Sequence, residues 1–138
     1  MDKPLLYFIC TGNSCRSQMA EGFARTMLGQ RCDVLSGGLE PSRVNPYAIR
    51  VMAEVGVDIS MQQSRPIDAE RLRGADIAVT LCGDAEERCP LTPPQVRRLH
   101  WPLADPVRAQ GSEEEVLAVF RTVRDEIRGR VERLAQEI

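Results

Sequence analysis

The sequence predicts an α/β fold organised around a parallel sheet. Three observations lead there: a continuous apolar run of strand length from Leu5 to Ile9, the alternation of such runs with stretches of helical periodicity, and the turn residues between them. A run without polar alternation suits a strand buried on both faces, the environment of parallel sheets flanked by helices. Connections between such strands are expected to be right-handed crossovers.

The elements follow in order. Leu5 to Ile9 ends in Cys10-Thr11-Gly12-Asn13, and helical spacing then appears at Ala20, Phe23, Ala24, Met27 and Leu28, with Gly29 as the stop. A second strand is predicted from Asp33 to Ser36, leading into Gly37-Gly38. Asn45-Pro46 reads as N-cap and first helical position of a helix with Ala48, Ile49, Met52 and Ala53 on one face and Gly56 as its stop. A third strand, Asp76 to Leu81, runs directly into Cys82, and Arg97 to Trp101 is a shorter fourth, broken by Pro102. Ser112 with Glu115 forms a capping box that opens the longest helix, whose stripe is Val116, Phe120, Val123, Ile127, Val131 and Leu134. Acids at its start and Arg128, Arg130 and Arg133 near its end suit the helix dipole. The whole chain, residues 1–138, reads as one domain without repeat or linker.

Bulk properties exclude several classes. The formal charge of -2 lacks the basic excess of a nucleic-acid binder. No apolar run approaches the roughly 20 residues that span a bilayer, and no secretory signal is expected at the start of the chain. A cytoplasmic monomer is the expectation, with no membrane or nucleic-acid partner. Five cysteines, at 10, 15, 32, 82 and 89, are an odd number that fits poorly with a structural disulfide framework. Without a C-x2-C pair, and with His100 as the one histidine, no metal site is expected. Packing or catalysis remains.

In open α/β sheets ligands bind at the carboxyl ends of strands. Cys10 follows strand one, Cys82 strand three and Asp105 strand four, so three reactive groups fall on one sheet edge. The loop from Cys10 to Ser17 lies between strand and helix, where a glycine-containing turn aims backbone N–H groups at an oxyanion. Arg16 adds a planar fork that can hold two oxygens. Amides, helix dipole and Arg16 all favour thiolate at Cys10, which is expected to be nucleophilic at neutral pH. The plainer alternative makes Cys10 a buried strand-end residue and Arg16 a surface charge. The five-residue spacing in its strand–loop–helix context favours chemistry on a tetrahedral oxyanion.

This C-x5-R-S loop with the later Asp105-Pro106 resembles the low-molecular-weight protein tyrosine phosphatases. The resemblance implies a three-layer sandwich on a central four-stranded parallel sheet. It also implies Cys10 as nucleophile, Arg16 as anion ligand, Asp105 as general acid and Ser17 as hydrogen-bond partner of Cys10. Thr11, Gly12, Asn13, Ser14, Cys15 and Arg16 would surround the oxyanion.

Cys82 and Cys89 exceed what a phosphatase needs. Seven positions apart, they would share a helical face but lie about 10 Å apart along its axis. A disulfide needs Cα atoms roughly 4.4–6.8 Å apart, so such a bond would require the segment to unwind. The plain alternative is that Cys82 ends a buried strand and Cys89 is incidental. The segments Tyr7 through Gly22, Val79 through Ala85, Cys89-Pro90, Pro93-Pro94, His100-Trp101, Asp105-Pro106 and Val123 through Ile127 resemble the thioredoxin-dependent arsenate reductases over essentially the whole chain. That resemblance implies arsenate as substrate, thioredoxin as reductant, no bound cofactor, and a relay from Cys10 to Cys82 to Cys89. Cys15 and Cys32 read as packing residues, and His100 as a strand-end residue without a catalytic role. An aryl phosphatase, or a non-enzymatic redox or arsenical sensor, are the other readings.

One departure stands out. Some relatives hold potassium through positions matching Asn13, Glu21, Ser36 and an aspartate at 65, where this chain has Arg65. A guanidinium cannot ligate a cation, so the potassium site is expected to be lost, with an Arg65–Glu21 salt link as a candidate replacement. The approach to Asp105, Pro102-Leu103-Ala104, also lacks the glycine usual in relatives.

Overall fold

A computed structural model describes residues 3–81 and 92–138. Expectations for Cys82, Cys89 and the segment between them lie outside the described residues. Strand β1 (Leu5–Cys10) leads into helix α1 (Arg16–Leu28), then β2 (Asp33–Gly38), α2 (Pro46–Ala53), the short α3 (Ala69–Arg73), β3 (Ile77–Thr80) and β4 (Arg97–His100). A 3-10 turn (Pro106–Arg108) precedes the long helix α4 (Glu113–Glu137).

The four strands form one sheet in the order β2-β1-β3-β4, every pair parallel. Cys10 sits opposite Gly38 and Ile9 opposite Thr80. The chain goes first to one side of β1 and then to the other, and the carboxyl end of such a reversal is where α/β sheets open a crevice. β1 is buried at every position. Its successive side chains point to opposite faces. Phe8 meets the Trp101 ring at 5.9 Å, and the Arg130 guanidinium of α4 lies 6.0 Å over that ring. Tyr7 faces the other way, its hydroxyl accepting from Asp68 N at 2.8 Å, beside α3 and its buried Leu72. Both faces are therefore covered, as the expected sandwich requires.

The helices follow their sequence signals with some shifts. Asn45 caps α2 by accepting from Tyr47 N at 2.8 Å, although the helix closes at Ala53, ahead of Gly56, which follows at φ +81°. Both halves of the Ser112–Glu115 capping box are formed. The α4 stripe includes Leu117 as well as Phe120, Val123, Ile127, Val131 and Leu134, while Val116 is only half-buried. Because α4 runs on to Glu137, its last turn holds no basic residue, and the arginines expected to complement the dipole sit further back. β2 continues through Gly37 and Gly38, two residues beyond the predicted strand. Helix α3 and the 3-10 turn were not predicted.

Candidate active site

The loop from Cys10 to Cys15 turns its carbonyls outward. Cys10 O accepts from Leu39 N, Thr11 O from Glu40 N, Gly12 O from Ser42 N and Ser64 Oγ, Asn13 O from Gln18 Nε2, and Ser14 O from Asn45 N, at distances from 2.8 to 3.3 Å. Peptide units are planar and trans, so a run of carbonyls facing out turns the intervening N–H groups inward. Cys15, the N-cap residue of α1, makes no side-chain capping bond, so that helix end opens uncapped on the same space. The loop makes its turn at Asn13, the one described non-glycine residue with positive φ, +46°. Asparagine tolerates this left-handed conformation better than most residues.

β2 supports the loop from below. A Cβ on Gly38 would sit 2.8 Å from Asn13 N and from Thr11 O. These are backbone atoms with little room to yield, so only glycine lets the loop lie this close to the strand.

The resulting cavity holds about 600 Å³ and is lined by Thr11, Gly12, Ser14, Cys15 and Arg16 around Cys10, with Ser42, Asn45, Asp105, Val107 and Arg108 at its rim. Cys10 Sγ lies 2.9 Å from Ser17 Oγ. Arg16 is nearly buried, donates through Nη1 to Leu103 O at 3.1 Å, and brings Nη2 to 3.6 Å from Asp105 Oδ2. Asp105 also caps the 3-10 turn, accepting from Val107 N at 3.1 Å. The loop after β1, a buried thiol, a guanidinium and a carboxyl group thus converge on one open cleft. Among the described residues no aromatic side chain lines it.

A family model described as low molecular weight phosphotyrosine protein phosphatase matches residues 5–138. The chain belongs to this family. Among its curated relatives is the arsenate reductase of Bacillus subtilis, 54% identical over 99% of this chain and 98% of its own length. Among solved structures, an arsenate reductase in the phosphate binding state superposes with a TM-score of 0.79 at 42% identity, covering 98% of each chain. The thioredoxin-dependent arsenate reductase of Corynebacterium glutamicum gives a TM-score of 0.80 at 28% identity, covering 99% of this chain and 62% of that one.

Of the six loop residues expected around the oxyanion, five line the cleft. The exception is Asn13, whose fully buried side chain faces Ser17 (2.8 Å) and Ser36 (3.0 Å) instead. The partner of Glu21 also differs from expectation. Glu21 Oε2 pairs with Arg25 Nε at 2.9 Å, while the Arg65 side chain reaches Gln63 Oε1 at 3.4 Å. Arg25 wins because it lies one helical turn along α1, where an i,i+4 pair meets directly. Arg65 contributes through its backbone, N donating to Asn13 Oδ1 at 2.8 Å.

Cys15 is buried, and burial pushes its thiol up to about 12, so it stays uncharged beside the cleft. Burial also raises the thiol of Cys32, away from the cleft. His100 Nδ1 lies 2.8 Å from Thr80 Oγ1 at the sheet edge. Sequence reasoning missed Ser42, Val107 and Arg108 at the rim, since they come from segments without periodic signal. Among the described residues no cluster of three metal-binding side chains is present, and no helix is long and apolar enough to cross a membrane.

Proposed function

We propose that this chain reduces arsenate to arsenite with electrons from thioredoxin, using Cys10, Cys82 and Cys89 in succession. The observation that carries the reading is that Cys10, Arg16 and Asp105 line one cleft, which among the described residues has no aromatic wall. Such a cleft suits a small tetrahedral oxyanion better than an aryl ester. In the first step the Cys10 thiolate attacks arsenic(V) held by the loop amides and Arg16. A hydroxyl group leaves as water with the proton of Asp105. Ser17 Oγ, 2.9 Å from the sulfur, is the hydrogen-bond partner of the nucleophile.

In the second step the Cys82 thiolate attacks the Cys10 sulfur. The S–As bond breaks, its electron pair stays on arsenic, arsenite leaves, and a Cys10–Cys82 disulfide remains. Leu81 N donates to Ile9 O at 2.9 Å, so the residues just before Cys10 and Cys82 leave the sheet side by side. Cys89 then attacks Cys82 and frees the Cys10 thiolate, and the thioredoxin dithiol reduces the Cys82–Cys89 disulfide. A relay that starts from free thiols needs a reducing compartment, which supports a cytoplasmic location. A monomer suffices, because every group named comes from one chain.

The test is arsenate-dependent NADPH oxidation with thioredoxin and thioredoxin reductase. Wild type should turn over only with thioredoxin present, and Cys89→Ser should stop after one turnover. Absent arsenate turnover with intact aryl phosphate hydrolysis would make this chain a phosphatase carrying extra cysteines.

A further inference from the structure

Cys10 stands at the inner end of a row of side chains whose outer end is a permanent charge. Arg25 Nε donates to Glu21 Oε2 at 2.9 Å, and Ser36 Oγ donates to Glu21 Oε1 at 2.5 Å. Asn13 Nδ2 donates to Ser36 Oγ at 3.0 Å and to Ser17 Oγ at 2.8 Å, and Ser17 Oγ lies 2.9 Å from Cys10 Sγ. Each link sets the direction of the next. A carboxylate only accepts, so Ser36 turns its single proton to Glu21 and can only accept from Asn13. Asn13 therefore presents its amide nitrogen to both serines, and its oxygen takes the Arg65 amide. Ser17 already accepts from Asn13, which leaves its proton for the Cys10 sulfur. A hydrogen bond received by sulfur favours the thiolate.

The polarity of the row depends on Glu21, which is only 6% exposed. A carboxylate so removed from water needs a cation beside it. Among the described residues that cation is Arg25, anchored by a second bond from Nη2 to Val34 O at 2.7 Å. Of the four positions that match the potassium ligands of relatives, position 65 is an arginine here, which cannot ligate a cation. Both Glu21 oxygens and the Asn13 oxygen already receive one donor each.

We infer that Arg25 is a positioning residue for the Cys10 chemistry. It is a built-in cation that works through Glu21, Ser36, Asn13 and Ser17 to keep a hydrogen bond directed at the sulfur, and no metal ion is needed. The inference rests on the reading of Cys10 as nucleophile, and Arg25 itself is outside the cleft.

The decisive readout is the rate of Cys10 alkylation by iodoacetamide at neutral pH, followed on the Cys10 peptide by mass spectrometry. Arg25→Ala and Arg25→Gln should both slow it about 3- to 10-fold, the scale of one lost hydrogen bond. kcat for arsenate should fall in parallel and KM should barely move. Millimolar guanidinium, against sodium chloride of equal ionic strength, should restore Arg25→Ala, and Arg25→Lys should stay near wild type. Wild type should be indifferent to potassium in place of sodium. Variants that alkylate and turn over at the wild-type rate, with only a lowered Tm, would show a purely structural ion pair and overturn the inference. Strong potassium activation of wild type would overturn it as well. Alkylation needs neither arsenate nor thioredoxin, so a wild type that alkylates fast yet reduces no arsenate would sink the proposed function alone.

Discussion

The two loops that meet at the cleft are built in opposite ways. The anion loop after β1 is held from all sides: its carbonyls are taken up by outside donors, Asn13 is locked into the side-chain row, and Gly38 presses against it from β2. The loop after β4, which carries the assigned acid Asp105, is held mainly by the burial of Trp101, Leu103 and Pro106. Asp105 caps a three-residue turn, Val107 is 55% exposed, and the main ties back to the anion loop are two contacts from Arg16. The surroundings of Cys10 are thus preorganised, whereas Asp105 is positioned by Arg16, the guanidinium proposed to bind the substrate. Arg16 brings Leu103 and Asp105 together, so in the proposed reaction an anion arriving at Arg16 also adjusts the carboxyl group assigned as acid.

That contrast can be broken from the acid side. Asp105→Asn removes the proton donor and keeps the turn cap, since the amide oxygen can still accept from Val107 N. kcat for arsenate should drop by about 10²–10⁴, the usual worth of a positioned acid. KM should not rise, because Arg16 loses a competing carboxylate. A kcat within a few fold of wild type would show that water or another group supplies the proton. On the other side, Gly38→Ala forces a Cβ against two backbone atoms at 2.8 Å. Displacing the loop by even about 1 Å is expected to cost about 100-fold in kcat, with a loss of about 1–3 kcal/mol in urea unfolding from overpacking. Activity near the wild-type level would mean that the anion loop is as adjustable as the acid loop.

The same contrast explains what was legible in the sequence. Strands β1 and β3, α2 and the start of α4 announce themselves through apolar runs and caps, because hydrophobic burial and capping are local signals. The start of α1 does not. Arg16, Ser17, Gln18 and Glu21 are all buried there without being apolar, and Cys15 leaves the helix uncapped. Apolar periodicity therefore begins only at Ala20, although the helix begins at Arg16. Helix α3 escaped notice because five residues and one buried leucine make too short a pattern, even with Asp68 as N-cap. The loop after β1 was readable from its residue types. That Asn13, Glu21 and Ser36 come together was legible only through the resemblance, because the Ser36–Glu21 bond joins residues 15 apart in sequence and no spacing rule connects them.

Cys15 gives the finest test, because it belongs to the rigid loop yet contributes no charge to the cleft. Its thiol is raised from an ordinary 9.0 to about 12, by burial first, with Asp105 and Cys10 adding to the rise and Ser14 and Arg16 opposing it. A thiol that stays protonated cannot compete with Cys10 for arsenic at neutral pH. Cys15→Ala should therefore keep turnover within about 3-fold of wild type while losing about 1–2 kcal/mol of stability to the small cavity it leaves. The pH dependence has a definite sign. Between 9.0 and about 12 the unfolded chain releases this proton and the folded chain keeps it, so stability is fully present below that window and declines through it. The decline attributable to Cys15 is about 1.4 kcal/mol per pH unit. Burial also raises Cys32 and Tyr7, and their contribution is common to both proteins. The difference between wild type and Cys15→Ala in urea unfolding should thus be constant below pH 9.0 and shrink above it. A difference that stays constant into the alkaline range would mean that water reaches Cys15 and that the rigid loop opens.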